Sequence, residues 1–239
     1  MTVGILLAAG LGSRLRPLTD DRPKCLMDLG GETLLARLVR QLVAGGVTHL
    51  VVATGYEAAR VEEALARAPV PVTFAPCPDY ATTQNSVSLL RALDRCPPGA
   101  VVKLDGDLVV PDAVITLALS AAGSCVLVDD RAPPREEAMK VRCDGDRAVA
   151  FGKGLDPARC RGESIGIERF TPADRAVLHD VLRETVARGV TDRYYEDLYD
   201  DAIRRGVTLH ARSLQGAAWT EVDDHTDLAR ARALVREGL

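Results

Sequence analysis

Two short stretches carry residue types that could do chemistry together: Gly10-Leu11-Gly12-Ser13-Arg14 with Lys24 shortly behind it, and Asp105-Gly106-Asp107. The small residues of the first leave backbone N–H groups free to approach an anion, because no side chain stands in the way. Arg14 adds a planar fork that fits phosphate oxygens, and Lys24 adds a point charge. Glycines, Arg and Lys at this spacing indicate a nucleoside triphosphate. The second stretch follows an apolar run, and its glycine permits a sharp turn. Carboxylates placed there are suited to hold Mg²⁺ through one oxygen each, with waters and phosphates completing the octahedron; a plain acidic turn is the competing reading.

Two familiar phosphate loops do not fit. A dinucleotide-binding fingerprint needs a third glycine three residues after Gly12, where this chain has Leu15. A P-loop needs Gly-Lys followed by Ser or Thr, whereas Lys24 is followed by Cys25.

The elements that must position these residues follow from periodicity. Residues 3–9 form an apolar run that predicts a buried strand breaking directly into the glycine turn. A helical period over 33–44 stops at Gly45-Gly46, followed by a strand at 50–53, a helix at 57–66 and a strand at 70–74. A further helix opens near 80–88 and runs to about 94, and a strand covers 100–104. Such alternation predicts parallel pairing with right-handed crossovers: an α/β, doubly wound, mostly parallel sheet that collects ligands at the carboxyl ends of its strands. A helix at 111–121 and a strand at 125–128 extend it. Residues 129–137, charged and containing Pro133-Pro134, read as a flap. The alternating segments 139–141, 149–151 and 164–167 read as antiparallel strands of a small subdomain covering the site. Helices at 172–188 and 194–201, a last strand at 207–212 and a closing helix at 226–236 complete the plan. One domain is expected over 1–239, with 1–128 mainly on the nucleotide, 129–206 on the acceptor side and 207–239 closing the sheet.

The run from Leu7-Ala8-Ala9-Gly10 through Gly12-Ser13-Arg14-Leu15-Arg16-Pro17-Leu18-Thr19, closed by Pro23-Lys24-Cys25-Leu26, resembles the signature of the sugar-phosphate and choline-phosphate nucleotidyltransferases. Within that superfamily the chain is most similar to the small CTP-dependent phosphocholine, inositol-phosphate and phosphonate cytidylyltransferases. The resemblance implies a Rossmann-like fold and Mg²⁺-dependent transfer of CMP from CTP to a phosphonate or phosphate oxygen, with release of pyrophosphate. It implies nucleotide binding by Leu7, Ala8, Ala9, Gly10, Gly12, Ser13, Arg14 and Lys24. It also implies base recognition near Asn85, Ser86 and Ser88, where an amide or hydroxyl suits the donor and acceptors of cytosine; helix capping competes for those three. Asp107 becomes a metal ligand by the same resemblance, whereas Asp105 either meets the ribose or is structural. The resemblance further implies that the element Trp219-Thr220-Glu221-Val222-Asp223 supplies the second metal carboxylate, Asp223, with the acidic helix cap at Asp224 as the rival assignment. Arg14, Lys24, Asp107 and Asp223 are thus the expected catalytic set.

For the acceptor, similarity to phosphonate cytidylyltransferases points to Lys140, Lys153, Glu163 and Ser164, joined by Arg131 of the flap and by Arg193. A cationic tail would call for carboxylates or an aromatic cage, and an acidic one for further Arg or Lys. The flap offers both, so phosphocholine, inositol phosphate, aminoethylphosphonate, hydroxyethylphosphonate and phosphonoformate stay open, with a phosphonate of natural-product or cell-surface biosynthesis favoured. A hexose-phosphate nucleotidyltransferase and a non-catalytic nucleotide-binding subunit are the alternatives.

Bulk composition limits the rest. The 239 residues, 47% hydrophobic, are enough to bury a full core. Thirty basic against thirty-four acidic residues give a net charge of −4, which argues against nonspecific nucleic-acid binding. Any anion must be held by a local cluster. Six cysteines show no C-x-x-C pair and no apolar stretch approaches a membrane span, so zinc and membrane insertion are not expected and a reducing cytoplasm is. The four histidines lack metal-ligand spacing. Oligomeric state is not legible, a homodimer being one arrangement left open.

Overall fold

The computed structural model describes all 239 residues. The first apolar run forms β1 (Thr2–Ala8), whose Val3, Ile5 and Leu6 are inaccessible to solvent. It is covered on both faces, which is why the run shows no polar alternation. The helix α1 (Leu34–Ala44) begins at Thr33, whose hydroxyl accepts from the Ala36 N–H, and buries Leu34, Leu35, Leu38 and Leu42. Next come β2 (His49–Thr54), α2 (Ala58–Ala64), β3 (Val72–Pro76), α3 (Asn85–Asp94) and β4 (Ala100–Asp105). The order β3-β2-β1-β4 is parallel throughout.

Then follow β5 (Leu108–Val109), α4 (Asp112–Leu119), β6 (Cys125–Asp129), β7 (Lys140–Asp144), β8 (Arg147–Gly152), β9 (Gly162–Phe170), α5 (Pro172–Ala187) and α6 (Tyr195–Arg204). Last are β10 (His210–Ser213), β11 (Thr220–Glu221) and α7 (His225–Arg236). The full sheet has nine strands in the order β3-β2-β1-β4-β9-β6-β10-β8-β7. One core lies on the face of α3, α5 and α6, centred on Phe170, Tyr195 and Tyr199, and a second on the face of α1, α2 and α4. A smaller cluster under α7 joins Leu15, Met27, Val222 and Leu228.

Two expectations are corrected here. Residues 164–167 are not part of a separate small subdomain: β9 lies in the middle of the main sheet, antiparallel to both β4 and β6. Its residues Ile165 to Glu168 are buried without interruption, as a central strand requires, and the short segment read in the sequence was too brief to show it. The β7–β8 hairpin continues the same sheet through β10, so parallel pairing is confined to the first four strands and the β6–β10 pair. No helix is long and apolar enough to cross a membrane.

Candidate active site

The site lies where β1 and β4 end side by side, Leu7 opposite Asp105. The turn leaving β1 holds Gly12 in the left-handed region, at φ 63°, and a Cβ there would stand 2.9 Å from that of Lys24. Glycine therefore serves both the bend and the close approach of the lysine. Thr19 ties the loop by donating to the Gly12 carbonyl at 2.9 Å. Gly106 has a similar duty, since a Cβ would come within 2.6 Å of the Leu7 oxygen.

The late acidic segment reaches the site through a two-stranded ladder. β11 pairs antiparallel with β5, Glu221 opposite Leu108, and the Val222 N–H donates to the Asp107 carbonyl at 2.9 Å. Asp223 thereby comes to face Asp107 across the ammonium of Lys24, whose Nζ lies 2.6 Å from Asp107 Oδ2 and 2.9 Å from Asp223 Oδ1. Arg14 completes the group at 2.8 Å from Asp223 Oδ2. Burial works against the Lys24 charge, yet Asp107 and Asp223 push its pKa well above the ordinary value. Burial likewise opposes ionisation of Asp223, but Lys24 and Arg14 hold its carboxyl below the usual range.

Glu221 makes the third member. It ends β11 two residues before Asp223, and the two carboxylates converge on the same place. Asp107, Glu221 and Asp223 each offer an oxygen, all within 4.8 Å of one another. The charge of Asp107 above all, then burial and Asp223, push the Glu221 carboxyl up to about 8. Three hard oxygen donors, with a buried Asp107 Oδ1 that has no partner of its own, fit a divalent cation.

Beside this group opens a cavity of about 300 Å³. Of the expected nucleotide residues, Leu7, Ala8, Ala9, Gly10, Gly12, Lys24, Asn85, Ser88 and Asp105 line it. Ser13 does not, Arg14 faces the neighbouring cavity, and Ser86 is buried with its hydroxyl donating to the Arg193 carbonyl at 2.7 Å. Asn85 lies between the cavities and accepts from the Tyr195 N–H at 3.0 Å.

The neighbouring cavity, about 710 Å³, contains Lys153, Glu163 and Ser164 of the expected acceptor set. Lys153 lies over the Tyr194 ring, 4.5 Å from its centroid. The other three are committed elsewhere. Lys140 is a correction: its ammonium is buried and donates to the carbonyls of Glu136 at 2.5 Å, Ala138 at 3.4 Å and Lys153 at 2.5 Å, so it ties the flap to the β8 turn and does not face the cavity. Arg131 forks onto Asp129, which also accepts from Trp219 Nε1 at 2.7 Å, and lines a separate hollow. Arg193 turns to the Asp197 carbonyl and to Asp201.

Residues 4–157 match the MobA-like NTP transferase domain. The chain belongs to that family. Among curated relatives, the bifunctional IPC transferase and DIPP synthase of Rubrobacter xylanophilus is 35% identical over 96% of this chain, which spans about half of that protein (51%). The 2-aminoethylphosphonate cytidylyltransferase of Lancefieldella rimae is 27% identical over 95% of this chain and 91% of its own length. The solved inositol-1-phosphate CTP transferase from T. maritima shares the fold, with a TM-score of 0.81, 23% identity and coverage of 99% of this chain and 97% of its own.

For this NTP transferase chain, sequence reasoning gave no role to Glu221, to three residues of the smaller cavity or to Glu196 of the larger one. Glu221 could have been found from its place two residues before Asp223, the spacing that puts two side chains on one side of an extended chain. Tyr80, Thr83 and Gln84 also wall the smaller cavity. Their only signal was their place directly after β3, at the carboxyl edge of the sheet.

Proposed function

We propose that this chain transfers CMP from CTP to an oxygen of a small phosphonate or phosphate, releasing pyrophosphate. The observation that carries the reading is the linked group Arg14, Lys24, Asp107 and Asp223 at the mouth of a cavity walled by the glycine turn. The cytidylyltransferase relative supports the choice of CTP and of a phosphonate. Asp107, Glu221 and Asp223 are the residues that would hold Mg²⁺, which when bound supplies Lewis-acid polarisation of a phosphoryl oxygen.

The acceptor oxygen is already anionic near neutral pH, so no general base is needed. It attacks the α-phosphorus as the bond to the bridging oxygen breaks, and pyrophosphate leaves with that electron pair. The obstacle is repulsion between anions, and the chain's contribution is alignment and charge. Backbone N–H groups of the turn and the Lys24 ammonium cradle the triphosphate. Arg14 lines the acceptor cavity and reaches the Lys24 group through Asp223, so its charge offsets the repulsion between the two anions. Lys153 orients the acceptor from the far side. Pyrophosphate release from CTP and Mg²⁺ with a panel of phosphonates and phosphate esters, UTP serving as control, tests the reading. Release that requires both CTP and an acceptor is expected; CTP binding with no release on any acceptor refutes it.

A further inference from the structure

Between the acceptor cavity and the core lies a buried group of charges in which acids outnumber bases. Lys103 is inaccessible to solvent, with Nζ 3.1 Å from Asp105 Oδ1, 3.0 Å from Glu168 Oε2 and 3.5 Å from the centre of the Tyr195 ring. Its single charge is divided between those two carboxylates. Tyr195 adds a hydrogen bond to Asp105 Oδ2 at 2.6 Å. Glu196, the third acid, is 6% exposed and its Oε2 has no hydrogen-bond partner. Burial foremost, with Asp105 and Glu168 adding to it against Lys103, pushes the Glu196 carboxyl up to about 8. Three carboxylates around one ammonium, Glu168 and Glu196 buried and Asp105 partly exposed to the cavity, leave a shortage of positive charge.

Asp105 and Glu196 both line the acceptor cavity. Its wall as a whole carries nine carboxylates against three cationic side chains, Arg14, Arg135 and Lys153. An acceptor with an acidic tail would meet repulsion there, and a neutral polyol could donate a hydroxyl to the Glu196 oxygen but would bring no positive charge to offset the surplus of carboxylates. A quaternary ammonium needs an open aromatic face. Of the two aromatic side chains at that wall, Tyr194 has Lys153 over its ring and Trp219 is buried with its N–H donating to Asp129. A primary ammonium brings three N–H donors and one positive charge, which gives the Glu196 oxygen a partner and offsets the surplus negative charge that Asp105 shares with it.

We propose that the acceptor is an ω-aminoalkyl phosphonate or phosphate, and that Asp105 and Glu196 receive its ammonium while its anionic end points to Lys153 and Arg14. The proposal rests on the transfer reading above and narrows it. Glu196 then selects substrate without touching the reacting atoms.

The test is acceptor selectivity in the pyrophosphate-release assay, comparing 2-aminoethylphosphonate with propylphosphonate, which replaces the ammonium by a methyl group. The chain is expected to prefer the amine by about 100-fold in kcat/KM, the scale of one buried charge-assisted hydrogen bond. Glu196→Gln keeps the shape and is expected to reduce that preference below about tenfold, through KM for the amine and not KM for CTP. Equal use of the two acceptors, or use of inositol phosphate or phosphonoformate as readily as the amine, overturns the subsite while leaving the transfer reading intact. An unchanged preference in a folded Glu196→Gln variant overturns the assignment to Glu196. Silence with every acceptor overturns the transfer reading itself. Should the variant not fold, the selectivity of the unaltered chain still decides whether an ammonium is recognised.

Discussion

Lys24 stands between the two carboxylates to which the metal is assigned, so the metal and the lysine must compete for them. The perturbation is Lys24→Met, which keeps the length of the stem and removes the charge. Nζ makes contacts of 2.6 Å to Asp107 and 2.9 Å to Asp223, and its side chain is only 15% exposed. A hydrogen bond to a charged group is worth about 1.5–3 kcal/mol, so displacing both costs the incoming cation about 3 kcal/mol, or about 100-fold in Kd. Without nucleotide, Lys24→Met is therefore expected to bind Mg²⁺ about 100-fold more tightly than the unaltered chain, although it loses turnover because the triphosphate has lost its ammonium. Calorimetric titration of Mg²⁺ measures the first effect and pyrophosphate release the second. Thermal melts provide a check: the variant is expected to be less stable in chelator and to gain more from Mg²⁺. Equal or weaker Mg²⁺ binding by a folded variant would refute the competition, and with it the idea that Lys24 leaves the carboxylates when triphosphate and metal arrive together.

Other substitutions test separate parts of the argument. Asp107→Asn is expected to lower kcat by at least about 10³-fold while the melting temperature holds, and retention of a tenth of the activity would remove Asp107 from the metal set. Lys140→Met leaves three carbonyls without their buried donor, which should cost about 3 kcal/mol. Faster limited proteolysis within 131–137 and a KM raised more for acceptor than for CTP are the expected signs of the released flap. Arg131, opposed by burial and helped by Trp219, holds the Asp129 carboxyl down at about 2. Its stabilisation is therefore complete above the ordinary carboxylate pKa and is lost as pH falls through about 2. Asp129→Asn should cost about 2 kcal/mol in urea unfolding at pH 7, with the difference from the unaltered chain vanishing towards pH 2.

How much of this was legible in the sequence depended on the distance over which each feature is decided. The parallel half was legible because each strand and its crossover helix are consecutive, and each boundary carries its own signal, such as Thr33 before α1 or Gly45-Gly46 after it. The glycine turn and Lys24 were legible for the same reason. Asp223 came only from the resemblance, because β5 and β11 are short and their pairing joins distant parts of the chain. Lys140 was misread since a lysine beside a charged loop usually faces water. Its burial is decided by carbonyls from both the flap and the turn after β8.

The misplacement of β9 has a physical reason that also explains Lys103. A lysine inside the apolar run of β4 is tolerable only if an acid is supplied to it in the core. Register shows where that acid comes from: Lys103 pairs directly with Glu168 across the β4–β9 ladder. A parallel neighbour of the usual Val and Ile composition would have left the ammonium without a partner. The lysine was thus a signal that an acid-bearing strand from elsewhere must lie beside β4. Once β9 is there, its Gly166 lets the Asp105 carboxylate lie close against the β9 backbone, since a Cβ at that glycine would collide with it. The strand order that departs from a simple doubly wound sheet is therefore the one that holds Asp105 between the nucleotide and acceptor cavities.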